Sequence, residues 1–430
     1  MKDGLPIVVL GAGLAGLYAA YLLKKSGRSV LMLEARDRIG GRIDTRTTED
    51  GLYYEMGAEW VGKNDRILRA LCEELQLPLA NHLLKTQFLH EGVHIGADEW
   101  EPAAKLRETI ASFVKRFPDL SSEEVARLQH IDWWHFLLKQ GVPREDAELL
   151  DLVRSTDFGE DMRFVPAYDV LYDYAVGGDG ETAMSDRIKG GSSLIAERLA
   201  SYIGSENIVL SAEAAEIKVS GPICTVITKD GRTYESARIV AAVPTLAVSN
   251  IHFTPMLPPA REAAYDELKY CRITKTAIEF SERFWKDDAF ELVTDRIAHQ
   301  IYHATQGEPG ESGVLISYST GDGAEALARM SEAERIEEVC AALEPLFGDV
   351  RTLVKSSACY AWGDDPYTGG AYPLFQADER TTIKNLFPLP HGRVHFAGEH
   401  TARRYGFMEG AVESGARVVE EIIRAETIYS

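Results

Sequence analysis

A strand-to-helix turn built on three glycines lies near the start of the chain and strongly limits how the chain can fold. Ile7 to Leu10 is a short apolar run, mostly β-branched, which predicts a buried parallel strand. Gly11, Gly13 and Gly16 follow with the spacing GxGxxG and open an amphipathic helix. In such a turn the first glycine permits the bend, the second lets the backbone approach a pyrophosphate at the helix N-terminus, and the third allows close helix–strand packing. The pattern predicts a βαβ unit that binds a dinucleotide.

A second strand and an acidic residue support this prediction. Ser29 to Leu33 predicts a neighbouring strand, and Glu34 follows the glycines at about the 20-residue spacing at which a carboxylate holds a ribose hydroxyl. Arg36 comes next, and then the Gly40-Gly41-Arg42 triplet. An NAD-binding unit has no evident need for these residues, whereas a longer cofactor can use paired glycines and a guanidinium along its pyrophosphate. Composition alone does not choose between FAD and NAD.

Four segments together resemble the flavin-containing amine oxidase family, which includes monoamine, polyamine and L-amino-acid oxidases. They are GAGLAGL, Glu34, RIGGR and MGAEWVG, and the C-terminal HFAGEHTARRYGFMEGAV agrees with them. The resemblance implies FAD as the cofactor and an α/β fold. In that fold a Rossmann-like, glutathione-reductase-type FAD-binding domain is interleaved with an α+β substrate-binding domain that has a mixed sheet. It also implies that Met56 to Trp60 passes beside the isoalloxazine ring.

Length and charge limit the class of protein. The 430 residues, 45% of them hydrophobic, suffice for two domains or one large interleaved core. The net charge of −21 disfavours nucleic acid and anionic membranes as partners, and attracts cationic amines only modestly; solubility is the simpler interpretation.

The remaining composition favours a soluble, cytoplasmic protein. Met1 to Pro6 leaves no room for a secretory signal before the first strand, and no stretch reaches about 18 consecutive apolar residues. The chain stops at Ser430 without the membrane-anchoring tail of mitochondrial monoamine oxidases. We expect reduced thiols and no metal site, because the five cysteines are widely spaced: Cys72, Cys224, Cys271, Cys340 and Cys359.

The two ends of the chain must meet in space if they form one flavin site, so the domains must interleave. We predict FAD-binding segments at 1–78, 188–269 and 385–430, a helical part of the substrate domain at 79–187, and its sheet part at 270–384. Helices are predicted at Ile67 to Leu77, Ala103 to Phe117, Ser121 to Leu128, Trp133 to Gln140, Arg144 to Arg154 and Ser331 to Leu346, with another after the turn at Ile188. Strands are predicted at Ile208 to Val219, Cys224 to Thr228, Ile239 to Val243, 271–280, Ile301 to His303, Val314 to Tyr318 and Ser356 to Trp362.

Lys275 is the most specific candidate for chemistry. In ITKTAIEF it shares an alternating face with Ile273 and Ala277, so on a buried face its ammonium is costly without a partner or an ordered water. The resemblance places a lysine on this strand, hydrogen-bonded through water to flavin N5. The alternative is an ordinary lysine on an edge strand.

Aromatic residues near the C-terminus are candidates for the substrate pocket. Tyr367 and Tyr372 flank a flexible Thr-Gly-Gly-Ala turn, and the resemblance assigns Tyr372 to one wall of an aromatic cage and Phe407 to the opposite wall. Ala371 stands where covalent family members have a cysteine linked to the flavin, so we expect non-covalent FAD. Core packing is the alternative role for the tyrosines, because aromatic residues are common packing anchors.

The predicted site combines residues from the whole chain. A helix that starts near Met408 directs its N-terminal amides at the flavin, where reduction leaves negative charge. Lys275, Tyr372 and Phe407 are the predicted catalytic residues, and Trp60 lines the substrate pocket. The predicted cofactor contacts are Gly11, Ala12, Gly13, Ala15, Gly16, Glu34, Ala35, Arg36, Gly40, Gly41, Arg42, Met56, Gly57, Ala58, Glu59, Ala214, Trp362, Tyr367, Gly398, Glu399, Phe407, Met408 and Ala411.

These residues favour oxidation of an amine over oxidation of an amino acid. In several L-amino-acid oxidases a Gly-Ala-Met-Arg stretch supplies the arginine that holds the substrate carboxylate, whereas this chain has Gly57-Ala58-Glu59-Trp60. An amino-acid substrate stays open, because Arg163 or Arg187 could come from the helical region. Desaturase or isomerase activity and a non-catalytic FAD-binding role stay open as lesser alternatives. The expected partners are a small amine and O2, with a homodimer possible.

Overall fold

The structure is a computed structural model that describes residues 4–97, 99–101, 104–177, 184–377 and 379–429. The helices are α1 (Leu14–Lys25), α2 (Arg66–Glu74), α3 (Ala104–Arg116), α4 (Ser122–Gln129), α5 (Trp133–Lys139), α6 (Arg144–Phe158), α7 (Ala167–Gly177), α8 (Ser193–Ile203), α9 (Thr245–Ser249), α10 (Pro259–Glu267), α11 (Gly321–Arg329), α12 (Glu332–Phe347), α13 (Glu379–Thr382) and α14 (Met408–Tyr429).

The strands form six sheets in the described ranges. They are β1 (Ile7–Leu10), β2 (Val30–Leu33), β3 (Thr45–Thr47), β4 (Tyr53–Glu55), β5 (Trp60–Gly62), β6 (Leu79–Asn81), β7 (Lys85–His90), β8 (Val93–Ile95), β9 (Met184–Ile188), β10 (Ile208–Val209), β11 (Ala214–Ser220), β12 (Ile223–Thr228), β13 (Thr233–Ser236), β14 (Arg238–Ala241), β15 (His252–Thr254), β16 (Lys269–Tyr270), β17 (Ile273–Phe280), β18 (Phe290–Thr294), β19 (Gln300–His303), β20 (Gly313–Thr320), β21 (Val354–Ala361), β22 (Pro373–Leu374) and β23 (Val394–Phe396).

A five-stranded parallel sheet brings distant parts of the sequence together. Its strand order is β10-β2-β1-β14-β23, and every pairing in it is parallel. All four residues of β1 are buried, as expected of a parallel strand covered on both faces. Because β1 and β23 come from opposite ends of the chain, the predicted interleaving of the chain is confirmed.

Two helices begin at one edge of this sheet. β1 ends at Leu10 and α1 begins at Leu14, while β23 ends at Phe396 and α14 begins at Met408. Since the strands are parallel, both helix N-termini lie at the carboxyl ends of the strands, the usual place for a ligand in such a sheet. The two helices pack closely, because a Cβ added at Gly415 would lie 2.7 Å from the carbonyl oxygen of Ala15.

A seven-stranded mixed sheet forms the second layer. Its order is β21-β17-β20-β19-β18-β7-β8, and β18 with β7 is its parallel pair. All eight residues of β17 are buried. Because β17 lies between β21 and β20, Lys275 is not on an edge strand, and that alternative is wrong. The helix α12 packs against this sheet through Val339, Cys340 and Leu343.

Four predictions of local structure need correction. The single strand predicted from Ile208 to Val219 is wrong, because Ser211 adopts a positive φ of 50° and separates β10 from β11. The helix predicted to end at Arg154 continues to Phe158, where Gly159 terminates it with a φ of 71°. The helix α7 was not predicted, and neither were β7 and β8, which lie in the stretch expected to be helical. The predicted helix start at Ala103 lies outside the described residues.

In the part of the chain that the structure describes, no helix is a candidate for crossing a membrane. No helix there combines sufficient length with a sufficiently apolar composition.

Candidate active site

A cavity of about 1530 Å³ extends from the carboxyl edge of the parallel sheet to the seven-stranded sheet. The glycine turn after β1 and the N-terminus of α14 line one part of it, and residues of β17, β18, β19 and β20 line the other. The cavity is therefore long, and it joins the two ends of the chain to the mixed sheet.

Glycines form the cradle at the parallel-sheet end. Gly11 has a φ of 91° and Gly41 a φ of 60°, so both adopt the left-handed conformations that glycine tolerates best. A Cβ added at Gly41 would lie 3.1 Å from the Cα of Gly13, and one added at Gly16 would overlap the carbonyl of Gly11. The turn thus leaves bare backbone facing the cavity at the start of α1.

Glu34 lies beside this cradle, as predicted. Its carboxylate accepts hydrogen bonds from the backbone N–H groups of Ala12, at 2.6 Å, and Arg36, at 2.9 Å. Burial raises the pKa of Glu34. The residue lines the cavity, and the two amides fix the orientation of its carboxylate.

The two arginines that follow Glu34 link the N-terminal segment to the loop after β21. Arg36 donates two hydrogen bonds, of 2.6 and 2.7 Å, to Asp365. Arg42 lies 2.8 Å from Glu399 and donates to the carbonyl of Ala371. The guanidinium charges are therefore already balanced by carboxylates, and the arginines hold the cavity walls together.

Aromatic residues line the far part of the cavity. The hydroxyl of Tyr372 lies 3.2 Å from that of Tyr318 and donates to the carbonyl of Thr156 at 3.1 Å. Phe407 lines the same cavity, and the Arg404 guanidinium lies 4.1 Å from its ring centroid. The structure thus brings Tyr372 and Phe407 to one cavity, with the Tyr372 ring held by two polar contacts.

The ammonium of Lys275 is buried at the junction of the two parts. It donates hydrogen bonds of 3.0 Å to the carbonyls of Glu55 and Gly57, and one of 3.2 Å to the hydroxyl of Tyr302. The carboxylate of Glu59 lies 3.6 Å away. These contacts supply the partners that a buried ammonium requires.

The pKa values of two buried glutamates near Lys275 are shifted in opposite directions. Burial opposes ionisation of Glu59, but the imidazole of His82, 3.2 Å away, and the charge of Lys275 lower its pKa to about 2. Burial raises the pKa of Glu55 to about 7, and the nearby charge of Glu59 adds to that effect. Glu59 is therefore the permanent counter-ion of Lys275, and the hydroxyl of Tyr302 also donates to it at 2.7 Å.

The structure brings most of the predicted site residues to this cavity. The catalytic candidates Lys275, Tyr372 and Phe407 line it with Trp60. So do Gly11, Gly13, Ala15, Glu34, Ala35, Arg36, Gly40, Gly41, Arg42, Gly57, Ala58, Glu59, Ala214, Trp362, Tyr367, Gly398, Glu399, Met408 and Ala411. Ala12, Gly16 and Met56 lie just behind the lining: Ala12 binds Glu34, Gly16 packs on Gly11, and the carbonyl of Met56 accepts a hydrogen bond from Trp362 at 2.8 Å.

Several lining residues were not predicted. Tyr302 and Gln300 share one face of β19, and Glu291 lies on the neighbouring strand β18. Alternation along QIYH indicates that Gln300 and Tyr302 share a face, but the sequence does not show that this face borders a cavity. His82 follows β6 in a loop and Asp157 lies near the C-terminus of α6, and no hydrophobic periodicity of the sequence indicates that either faces the cavity.

The two arginines considered for a substrate carboxylate lie elsewhere. Arg163 is on the surface, 3.0 Å from Asp161. Arg187 donates to the carbonyls of Ala304 and Gln306. Neither is part of the cavity lining, so neither of these two alternatives is positioned to hold a substrate carboxylate there.

The residues present fit a flavin dinucleotide. The cradle at Gly13 and Gly41 exposes backbone that a larger side chain would cover, and two helix N-termini supply N–H groups suited to a pyrophosphate and to an electron-rich ring. None of the five cysteines lines the cavity in the described structure, and Ala371 does.

Comparisons with known proteins agree with this architecture. The family model described as flavin containing amine oxidoreductase matches residues 14–423. The chain is 28% identical to a probable flavin-containing monoamine oxidase A of Dictyostelium discoideum over 97% of each chain. It is 27% identical to an L-amino-acid oxidase of Siganus canaliculatus, covering 98% of this chain and 87% of that one. A solved double mutant of putrescine oxidase has a TM-score of 0.86 at 22% identity, covering 98% of this chain and 99% of that chain, which confirms the predicted fold.

Proposed function

Because the chain belongs to the flavin-containing amine oxidoreductase family, it is a flavin-dependent oxidoreductase, and we propose that it binds FAD non-covalently and oxidises a primary or secondary amine. One observation carries the proposal: a single cavity is lined by the glycine cradle, by Lys275 and by the two aromatic residues Tyr372 and Phe407. When bound, FAD supplies the acceptor for the hydride of the carbon next to nitrogen and passes the electrons to O2, which yields H2O2. Water then hydrolyses the imine to an aldehyde or ketone, releasing ammonia when the substrate is a primary amine and a primary amine when it is a secondary one.

The chain's own residues bind the cofactor, orient the substrate and exclude water from the site. We assign the dinucleotide to the part lined by Gly13, Glu34 and Gly41, and the flavin ring to the part between Lys275 and the N-terminus of α14. Tyr372 and Phe407 then flank the neutral amine. Lys275 forms a buried ion pair with Glu59, and its three N–H groups are held by the carbonyls of Glu55 and Gly57 and by the hydroxyl of Tyr302. It therefore fixes the wall beside the flavin ring, and it donates to a water near flavin N5 by exchanging one of these three partners.

Non-covalent attachment is supported by the lining around Ala371. Cys271 lies beside Ala371 in the structure, because the backbone N–H of Ala371 donates to the carbonyl of Cys271 at 3.1 Å. Its thiol, however, donates to the carbonyl of Phe158 at 3.0 Å and does not line the cavity. Denaturation in acid should therefore release all of the yellow cofactor into the supernatant, where mass spectrometry identifies it as FAD. Retention of the flavin by the precipitated chain would contradict this part of the proposal.

An L-amino-acid oxidase is the second candidate, and Arg154 favours it. This buried arginine lines the cavity, and its Nε and Nη2 atoms have no hydrogen-bond partner among the described residues. Amine oxidation is nevertheless the better interpretation, because Asp157 lies 2.6 Å from Arg154 and balances its charge.

A panel of substrates tests these alternatives. The holoenzyme is mixed anaerobically with benzylamine, putrescine, spermidine or L-amino acids, and the flavin absorbance is followed. Bleaching by amines with formation of H2O2 on admission of O2 is the expected result. Bleaching by L-amino acids alone would support the second candidate, and bleaching by none would contradict both.

The location and assembly of the protein are also proposals. We propose a cytoplasmic enzyme, which fits its five unpaired cysteines. We further propose a homodimer, which light scattering of the purified holoenzyme tests directly. The division into five sequence segments likewise stays a prediction.

A further inference from the structure

Glu291 is a buried carboxylate in the wall of the substrate part of the cavity. It lies on β18 directly opposite Tyr302 on β19, so both side chains lie on one face of the mixed sheet. Only 6% of Glu291 is exposed, and the residue is part of the cavity lining. This places a carboxylate on the same face as the tyrosine that contacts Lys275.

The partners of Glu291 are neutral. Thr86 donates its hydroxyl to one carboxylate oxygen, and the amide of Gln300 donates to the other. Within the part of the chain that the structure describes, no nitrogen of a Lys, Arg or His side chain lies within 4.0 Å of either oxygen. A buried charge is normally paired, so this arrangement leaves Glu291 without a counter-ion.

Two other charged residues of the cavity lining, Arg154 and Lys85, are each paired with a carboxylate. Asp157 lies 2.6 Å from Arg154, and Lys85 lies 3.0 Å from Asp287. Burial raises the pKa of Glu291, and the charge of Asp157 acts in the same direction. Among the residues that the structure describes, Glu291 therefore has no ion-pair partner, and the charge of His82 acts on it only from a longer distance.

We propose that Glu291 binds a second ammonium group of the substrate, so that the enzyme prefers diamines or polyamines to monoamines. The inference rests on the proposed function, because the first amino group has to lie between Tyr372 and Phe407. An ammonium provides the missing counter-ion, and a carboxylate oxygen that already accepts one hydrogen bond has a further lone pair for it.

The sheet sets the span that such a substrate has to cover. Two strands, β20 and β19, lie between the strand of Lys275 and that of Glu291. Three inter-strand spacings of about 4.8 Å give about 14 Å between the two backbones. Catalytic efficiency should therefore rise along a series of increasing length from putrescine through cadaverine to spermidine.

The first test uses the unmodified holoenzyme. 1,8-Diaminooctane and 1,10-diaminodecane, which approach this span, are compared with octylamine and decylamine, which keep the carbon chain and lack the second amino group. The proposal predicts a kcat/KM for each diamine that is roughly 10- to 100-fold higher than for its monoamine, as expected for a hydrogen bond between charged groups. Equal or lower values for the diamines would overturn the proposal without affecting the assignment as an amine oxidase.

The second test removes the charge. Glu291→Gln keeps the size of the side chain, and it should abolish most of the diamine preference by raising KM for diamines while the constants for octylamine change little. Asp295→Asn is the matched control, because Asp295 directly follows β18, is exposed and does not line the cavity, so it removes one negative charge near the same strand. If Glu291→Gln lowered kcat/KM equally for the monoamine and the diamine, the proposal would be overturned. If no amine reduces the flavin of the wild type, it is the proposed function that fails.

Discussion

The Nζ atom of Lys275 lies 3.6 Å from the Oε2 atom of Glu59, and both side chains are buried. They come from different sheets: Lys275 lies in the middle of β17, whereas Glu59 immediately precedes β5. The pair joins the segment beside the predicted flavin ring to the substrate sheet. Its loss should therefore affect both folding and catalysis.

Lys275→Met should destabilise the protein by about 3–5 kcal/mol, because it leaves the Glu59 carboxylate buried without its cation. The carbonyls of Glu55 and Gly57 also lose their donor. Denaturant unfolding of the purified variant measures the loss. Stopped-flow measurement of flavin reduction and reoxidation tests the catalytic role, and unchanged rates would remove Lys275 from the mechanism.

The double variant Lys275→Met/Glu59→Gln is the control for this prediction. It removes both charges, so it should recover much of the stability that the single substitution loses. If the two losses simply add, the ion pair is not the cause. Recovery of stability without recovery of the reaction rates would separate the structural role of Lys275 from its chemical role.

Tyr372→Phe and Tyr372→Ala should have different effects on turnover. The phenylalanine keeps the ring and removes a hydroxyl that contacts Tyr318 and Thr156, so we expect a loss of about 1 kcal/mol in stability and continued turnover. The alanine removes one wall of the cavity, so turnover should collapse while the FAD content stays intact. Steady-state kinetics and the flavin absorbance of each purified variant measure both effects. Full activity of Tyr372→Ala would exclude the proposed cage.

The sequence predicted the glycine turn and the position of Glu34 beside it, for a physical reason. The contacts of Gly11, Gly16 and Glu34 are local in the chain or lie one βαβ unit apart, so their spacing alone specifies the geometry. The strand of Lys275 was also recognisable, because its alternation predicts a buried face. What placed these residues together with Tyr372 and Phe407 was the resemblance to a known family.

The polar residues that line the substrate part of the cavity could not be predicted from spacing or alternation along the sequence. Glu291 is buried between Gln300 on the next strand, 9 residues away, and Thr86 on β7, which is 205 residues away in the sequence. Strand order decides such contacts, and β7 was not predicted as a strand at all. The arginine at the cavity is likewise Arg154, on a helix that runs further than predicted, and it is neither Arg163 nor Arg187.

The free energy of unfolding should fall as the pH rises through the range in which the Glu55 carboxyl loses its proton. Burial raises the pKa of this carboxyl to about 7 from an ordinary value near 4.5, so the folded state holds a proton that the unfolded state releases between these values. The stabilisation is fully present below about pH 4.5 and is lost as the pH approaches 7. Glu55→Gln should remove this part of the pH dependence, so that the variant gains about 1–3 kcal/mol relative to the wild type between pH 5 and pH 8. Thermal unfolding at several pH values measures the difference, and parallel curves for the two proteins would contradict it.

Substitution of Gly13 should separate cofactor binding from folding. A Cβ there would meet only the Cα of Gly41 within 4 Å, at 3.9 Å, and Gly13 has an ordinary φ of −73°. Gly13→Val should therefore fold and lose most of its FAD, because the side chain covers the backbone that faces the cavity. Gly16→Ala is the contrasting variant: alanine normally favours a helix by up to about 1 kcal/mol over glycine, but here its Cβ would overlap the carbonyl of Gly11. We expect it to lower the thermal stability of the apoprotein as well as its flavin content. The ratio of flavin to protein absorbance, together with circular dichroism, measures both outcomes, and a full complement of FAD in Gly13→Val would show that the pyrophosphate does not lie on this turn.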